Sequence, residues 1–183
     1  MAFLGVDQSL NGTGLCVVDD DGAPTHIETV EVGKRRGAER LAFIESRTES
    51  LLDGKIQFVT REGYSYDSTG RVFELGEVGG VLQLLFYKRG LQYAVVAPAA
   101  LKKFAVDDPR ASKEALIIAA KERGAVVQDD NQADAYWLAQ IARMLHQGSP
   151  AATPRHQLEV LRQIEAPRKK HARRVRRLVK NAL

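Results

Sequence analysis

The 183-residue sequence has one cysteine, Cys16. A single thiol excludes a disulfide framework and fits a reducing compartment. Cys16 lies within the apolar run Leu15-Cys16-Val17-Val18, where it reads as core filling and not as a nucleophile. No apolar run approaches the ~20 residues that a membrane-crossing helix requires. Met1-Ala2-Phe3 carries no basic segment of the kind that opens a secretory leader. The expectation is a cytoplasmic protein with no membrane partner. Repeats and low-complexity segments are absent, and His146 and His156 show no ligand spacing. Acid is missing from one place in particular. Eight of the 27 basic residues and none of the 23 acids follow Pro167, so the tail carries +8 and the rest of the chain −4. An acidic body with a basic tail points to a polyanionic partner. A solvated tail is the alternative.

What is present is enough for one α/β domain, residues 1–147, followed by a linker and a basic helical tail, residues 148–183. Phe3 to Val6 is an apolar run that delivers one carboxylate, Asp7. The polar turn Ser9-Leu10-Asn11-Gly12 and a second apolar run follow, which predicts two antiparallel strands joined by a hairpin. A third strand is expected over 25–32, a helix over 38–52, and a fourth strand over 57–61 ending on Glu62. A long helix over 72–87, a fifth strand over 91–96 and a series of helices complete the pattern. Gly76, Gly79 and Gly80 suggest that the long helix packs closely on the sheet. The fold class is α/β, a mixed five-stranded sheet of three antiparallel strands and parallel additions, with helices on both faces.

Asp7 needs a cation, because an unpaired carboxylate in a buried strand costs several kcal/mol. A salt bridge or a bound metal would each supply one. Three acidic places stand out: Asp7 on the first strand, Glu62 at the end of the fourth, and Asp134 in the last helix of the body. Asp130 precedes Asp134 by one helical turn on the same face. Carboxylates converging at one sheet edge repel unless a cation joins them. Oxygen donors without a His or Cys cluster select Mg²⁺ or Mn²⁺, and paired ions of this kind serve in-line phosphoryl displacement. Glu62 as a surface acid and Asp130 as a helix N-cap are the bland alternatives.

Four segments carry a family resemblance: FLGVDQSLNGTGLCVVD, VTREGYSYDSTGRVFELGEVGGVLQ, VAPAALKKFAVDDPRASKEAL and DDNQADAYWLA. In this order they resemble the RuvC-type Holliday-junction resolvases, of ribonuclease-H-like fold, over roughly residues 3–144. The phage-encoded branch looks closer, judging by Glu-Gly-Tyr and Asp-Asp-Asn-Gln-Ala-Asp, and would place the protein in a host cytoplasm. The resemblance implies a homodimeric, Mg²⁺-dependent endonuclease that binds four-way and other branched DNA and nicks two strands symmetrically. It holds two ions, with Mn²⁺ able to substitute.

Asp7, Glu62 and Asp134 match the family's metal acids. The remaining family acid has Asn131 in its place here, with Asp130 as the neighbouring substitute. Lys102, Lys103 and Lys113 match basic residues of the third segment, and Lys113 would steady charge on the scissile phosphate. Tyr64 and Tyr66 are candidates to stack on bases at a junction centre. Arg173, Arg174, Arg176 and Arg177 in the tail are candidates for phosphate contacts. Gln8-Ser9 replaces the family's Pro-Gly and is expected to affect only the turn. Two rival readings are an actin-like kinase, for which the chain is too short to supply a second lobe, and a non-catalytic binder of branched DNA, which Asn131 would favour.

Overall fold

The structure is a computed structural model that describes residues 1–63 and 71–164. Strands β1 (Ala2–Asp7), β2 (Gly12–Asp19) and β3 (Pro24–Glu31) form an antiparallel meander. Its second turn follows from sequence: Asp19 Oδ1 accepts the backbone N–H groups of Asp21 and Ala23 at 3.0 and 2.9 Å, a local bond that turns the Asp-rich stretch. Helix α1 (Gly37–Glu49) then carries the chain to β4 (Ile56–Glu62), which pairs in parallel with β1. Helix α2 (Val72–Lys88) leads to β5 (Gln92–Val96), parallel to β4. Parallel neighbours need such crossovers. The sheet order is β3-β2-β1-β4-β5, and the fold class expected from sequence is what is found.

Alternation along the strands sorts side chains between two cores. Leu4, Val6, Leu15, Val17 and Val59 face α1 and α2, while Phe3, Cys16, Val18 and Phe58 face the later helices. Those helices are α3 (Pro98–Val106), α4 (Lys113–Glu122), α5 (Asp130–Gln147) and a last one, α6, over 155–164. α6 joins the same core through Val160 and Leu161, and Gln157 Nε2 donates to the Phe104 carbonyl at 3.0 Å. Among the described residues no helix is long and apolar enough to cross a membrane.

Helix α5 is the central pillar. It is buried on nearly all sides, as its Ala-Tyr-Trp-Leu-Ala composition permits. Trp137 fills core and donates its indole N–H to the Leu116 carbonyl at 3.1 Å, which satisfies its polar atom. α5 touches the sheet backbone directly. A Cβ on Gly5 would lie 2.0 Å from the Ala135 carbonyl oxygen, and one on Gly14 would lie 2.1 Å from that of Asn131. Thr60 Oγ1 donates to the Leu138 carbonyl at 2.5 Å, fastening β4 to the same helix.

The glycines of α2 depart from expectation. Gly79 is buried, but a Cβ on Gly76 or Gly80 would meet no atom within 4 Å among the described residues. Gly80 is exposed and Gly76 half-buried.

Candidate metal centre

Asp7 is the last residue of β1 and Glu62 the last of β4. Both fall on the α5 side of the sheet, in step with Phe3 and Gly5 on one strand and Phe58 and Thr60 on the other. The start of α5 lies over these strand ends. Its N-cap is Asp129, whose Oδ1 accepts the Gln132 N–H at 2.8 Å and whose Oδ2 receives the Thr29 hydroxyl at 2.7 Å. Asp130 is therefore free of the capping role considered for it. Asp134 follows just over one turn into the helix, where the positive end of the helix dipole favours an acid.

Asp7, Glu62 and Asp134 come together: one carboxylate oxygen from each lies within 4.8 Å of the others. Burial, reinforced by the charges of Glu62 and Asp134, holds the Asp7 carboxyl well above its ordinary range, against the pull of Lys113. Burial also raises Glu62, opposed by a hydrogen bond from Asp7 and by Lys113 and Lys102. A hydrogen bond joins the two raised carboxyls. Asp134 is pushed up to about 7, by burial first and Glu62 next. Its Oδ1 is buried without a hydrogen-bond partner among the described residues. An orphaned carboxylate oxygen in a cluster of three acids fits a hard divalent cation with oxygen ligands.

Other predicted residues are placed around this trio. Lys113, the first residue of α4, bonds Asp130 through its ammonium group. That bond lowers Asp130 and raises Lys113, so the pair stays charged. Asn131, with its amide nitrogen turned inward, donates to Asp7 Oδ2 and to the Gly12 carbonyl, each at 3.2 Å. Lys102 acts on Glu62 and Asp134 through its charge. Lys103 turns elsewhere, to Glu159 of α6 at 2.9 Å. Tyr64, Tyr66, Arg173, Arg174, Arg176 and Arg177 lie outside the described residues.

Sequence reasoning missed two buried residues beneath the site, Gln8 and Arg61, which bond each other at 3.0 Å. A guanidinium at a position where the strand pattern calls for an apolar residue was the available signal.

The raised carboxyls give a stability prediction with a definite sign. The unfolded reference for Asp134 is 3.8 and its folded value about 7. Between these values the folded protein binds more protons than the unfolded chain, so stability falls as pH rises from 4 to 7. The shift corresponds to an upper bound on the order of 4 kcal/mol. Asp7 and Glu62 act in the same direction. The metal-free protein is therefore expected to melt lower at pH 8 than at pH 5, and added Mg²⁺ to raise the melting temperature far more at pH 8. Thermal melts at the two pH values with EDTA or Mg²⁺ check this. Equal Mg²⁺ effects at both would contradict it.

The sheet order, the crossover helices and the strand-end acids define a ribonuclease-H-like fold. The structure is similar to that of RuvC from Thermus thermophilus, with a TM-score of 0.68 and 22% identity over 81% of this chain and 97% of that one. It is similarly close to T. thermophilus RuvC in complex with a Holliday junction substrate, at TM-score 0.66 and 23% identity over 76% and 90% of the two chains. The fowlpox virus Holliday junction resolvase is more distant, at TM-score 0.46 and 13% identity over 76% and 96%. No family model and no curated protein matches the sequence. The fold is that of RuvC.

Proposed function

We propose that the protein is a divalent-metal-dependent endonuclease that resolves four-way junctions and other branched DNA by paired nicks. The observation that carries this reading is the meeting of Asp7, Glu62 and Asp134 at the strand ends of a RuvC fold. A neighbour of the same fold holds a Holliday junction substrate.

Asp7, Glu62 and Asp134 would hold the ions, Mg²⁺ or Mn²⁺. When bound, such ions supply the charge that activates water and offsets the developing charge on the leaving 3′ oxygen. The chain's own part is placement. Asn131 fixes one oxygen of Asp7, leaving the other to turn toward Glu62 and Asp134. Lys113, protonated and held at the rim by Asp130, is available to a phosphate oxygen as negative charge builds on it. Lys102 adds positive potential on the same side. Tyr64, Tyr66 and the tail arginines remain candidates for base stacking and phosphate contacts. The test is nicking of a synthetic four-way junction. Symmetric cuts with Mg²⁺ and none with EDTA are expected, and intact junction in both Mg²⁺ and Mn²⁺ would remove the catalytic reading.

Asp130 and Asn131 separate in this scheme. Asp130→Ala would release Lys113 to neutralise the trio in place of metal, and would remove the carboxylate one turn from Asp134. Asn131→Ala would remove a neutral hydrogen bond. Nicking is expected to fall further in Asp130→Ala, as measured by single-turnover rates. The reverse order would make Asn131 the more direct participant.

A homodimer is part of the proposal, because paired nicks in a two-fold junction call for two sites. Helix α2 supplies a face for it. Phe73 is 90% exposed, Tyr87 80% and Leu84 51%. They recur with Gly76 and Gly80 at spacings of three and four, on one side of the helix. The exposed Gly80 allows a second helix to approach closely. Leu84→Glu combined with Tyr87→Glu is expected to convert a dimer into a monomer in sedimentation at micromolar concentration. A wild-type monomer, with and without DNA, would refute the assembly.

A further inference from the structure

The β1–β4 ladder ends at Val6 opposite Arg61, one residue short of the acids on both strands. Asp7 is registered against Gly14 of β2 and Glu62 against Val96 of β5. Each acid is thus fixed to its outer neighbour, and the last backbone rung between β1 and β4 lies behind both. Once both carboxyls are ionised, as cation binding requires, their repulsion acts to spread the two strand ends.

On the opposite face of the sheet, Arg61 is 2% exposed and Gln8 6% exposed. Arg61 Nη1 donates to Gln8 Oε1 at 3.0 Å and to the backbone carbonyl of Glu62 at 3.0 Å. Gln8 directly follows Asp7, and the carbonyl belongs to the second acid itself. One guanidinium therefore ties together the two chain segments that carry the acids, just past the point where backbone pairing stops. A planar fork of five donors suits this, whereas an ammonium lacks the fixed geometry.

We infer that Arg61, acting through Gln8 and the Glu62 carbonyl, is a positioning residue that sets the spacing of Asp7 and Glu62 for metal binding. The inference rests on the metal-centre reading above. Groups that orient metal ligands are worth about 10- to 100-fold in affinity or activity when removed, and Arg61 is placed to act in that way.

The experiment titrates Mn²⁺ into the full-length, DNA-free protein and follows free Mn²⁺ by electron paramagnetic resonance. Wild type, Asp7→Asn, Arg61→Met, Gln8→Met and the Gln8→Met/Arg61→Met double variant are compared. Wild type is expected to bind and Asp7→Asn to lose binding. Arg61→Met is expected to weaken Mn²⁺ by about 10-fold or more, Gln8→Met by less, and the double variant no further than Arg61→Met, because both act through one clasp. In nicking assays the same variants are expected to lower kcat while leaving KM for the junction unchanged.

Wild-type Mn²⁺ affinity in Gln8→Met and Arg61→Met, or losses that multiply in the double variant, would overturn the clasp while the metal centre stands. If Arg61→Met fails to fold, Gln8→Met decides, since it leaves the Arg61 bond to the Glu62 carbonyl in place. Equal Mn²⁺ binding by wild type and Asp7→Asn, or none by wild type, would overturn the metal centre and the clasp together.

Discussion

Asp7→Asn is expected to abolish nicking, by a factor of at least about 10³, and at the same time to make the metal-free protein more stable. Both effects come from one charge. Asp7 is buried against Glu62 and Asp134, and its carboxyl is held well above the ordinary range by burial and by those two acids. Asparagine keeps the shape and can hydrogen-bond Glu62, but brings no charge to a cation. A bound ion would keep only two of its three carboxylate ligands, so an effect of the size seen when a principal electrostatic group is removed is expected. Without metal the same change relieves repulsion and the cost of burying a carboxylate. Junction binding should persist, since the change leaves every basic group proposed to meet phosphates in place. Single-turnover nicking, junction binding in EDTA and a melt in EDTA together check this. Metal-dependent cleavage surviving in Asp7→Asn would sink the assignment of Asp7.

Gly5→Ala is the second large effect, and it acts on the fold. A methyl group at Gly5 would lie 2.0 Å from the Ala135 carbonyl oxygen and 2.4 Å from the Ala139 backbone nitrogen. The obstacles are main-chain atoms of α5, so no side-chain rotation relieves them. α5 would have to lift from β1 and draw its Ala135 and Ala139 contacts apart. Overpacking commonly costs 1–3 kcal/mol when neighbours can adjust, so a cost of at least about 3 kcal/mol is expected here. For a chain of this size that corresponds to a fall of roughly 10 °C in melting temperature. Asp134 rides on the same helix, so metal-dependent stabilisation should shrink with it. A Gly5→Ala protein that melts with wild type would mean that α5 does not rest on β1 as described.

The sequence disclosed the sheet and the trio because both are written in local patterns. Apolar runs ending on an acid named β1 with Asp7 and β4 with Glu62, and helical periodicity named α5 with Asp134. What it concealed depends on contacts across the fold. Gln8 looked like a turn residue because its partner lies 53 positions away. Asp129 and Asp130 are equivalent by composition, and the Gln132 N–H, the Thr29 hydroxyl and the Lys113 ammonium tell them apart. The glycines of α2 could face the sheet or solvent, and periodicity alone did not choose. Lys103 stood beside Lys102 as a DNA contact, yet the one-residue offset around a helix sends it to Glu159.

Arg61 and Glu62 are neighbours in the chain and occupy opposite faces of one strand. Side chains alternate with period two, so sliding β4 by a single residue along β1 would exchange the acid for the cation. Two carboxylates facing a guanidinium form ion pairs that satisfy themselves without a metal. Insertion or deletion of one codon within residues 56–62 would thus do more than shorten a strand: it would replace a cation-seeking centre with a self-neutralised one, while the hydrophobic pattern around it was forced out of register. The spacing between Asp7 and Glu62 along the sheet is, in that sense, a reading frame for charge.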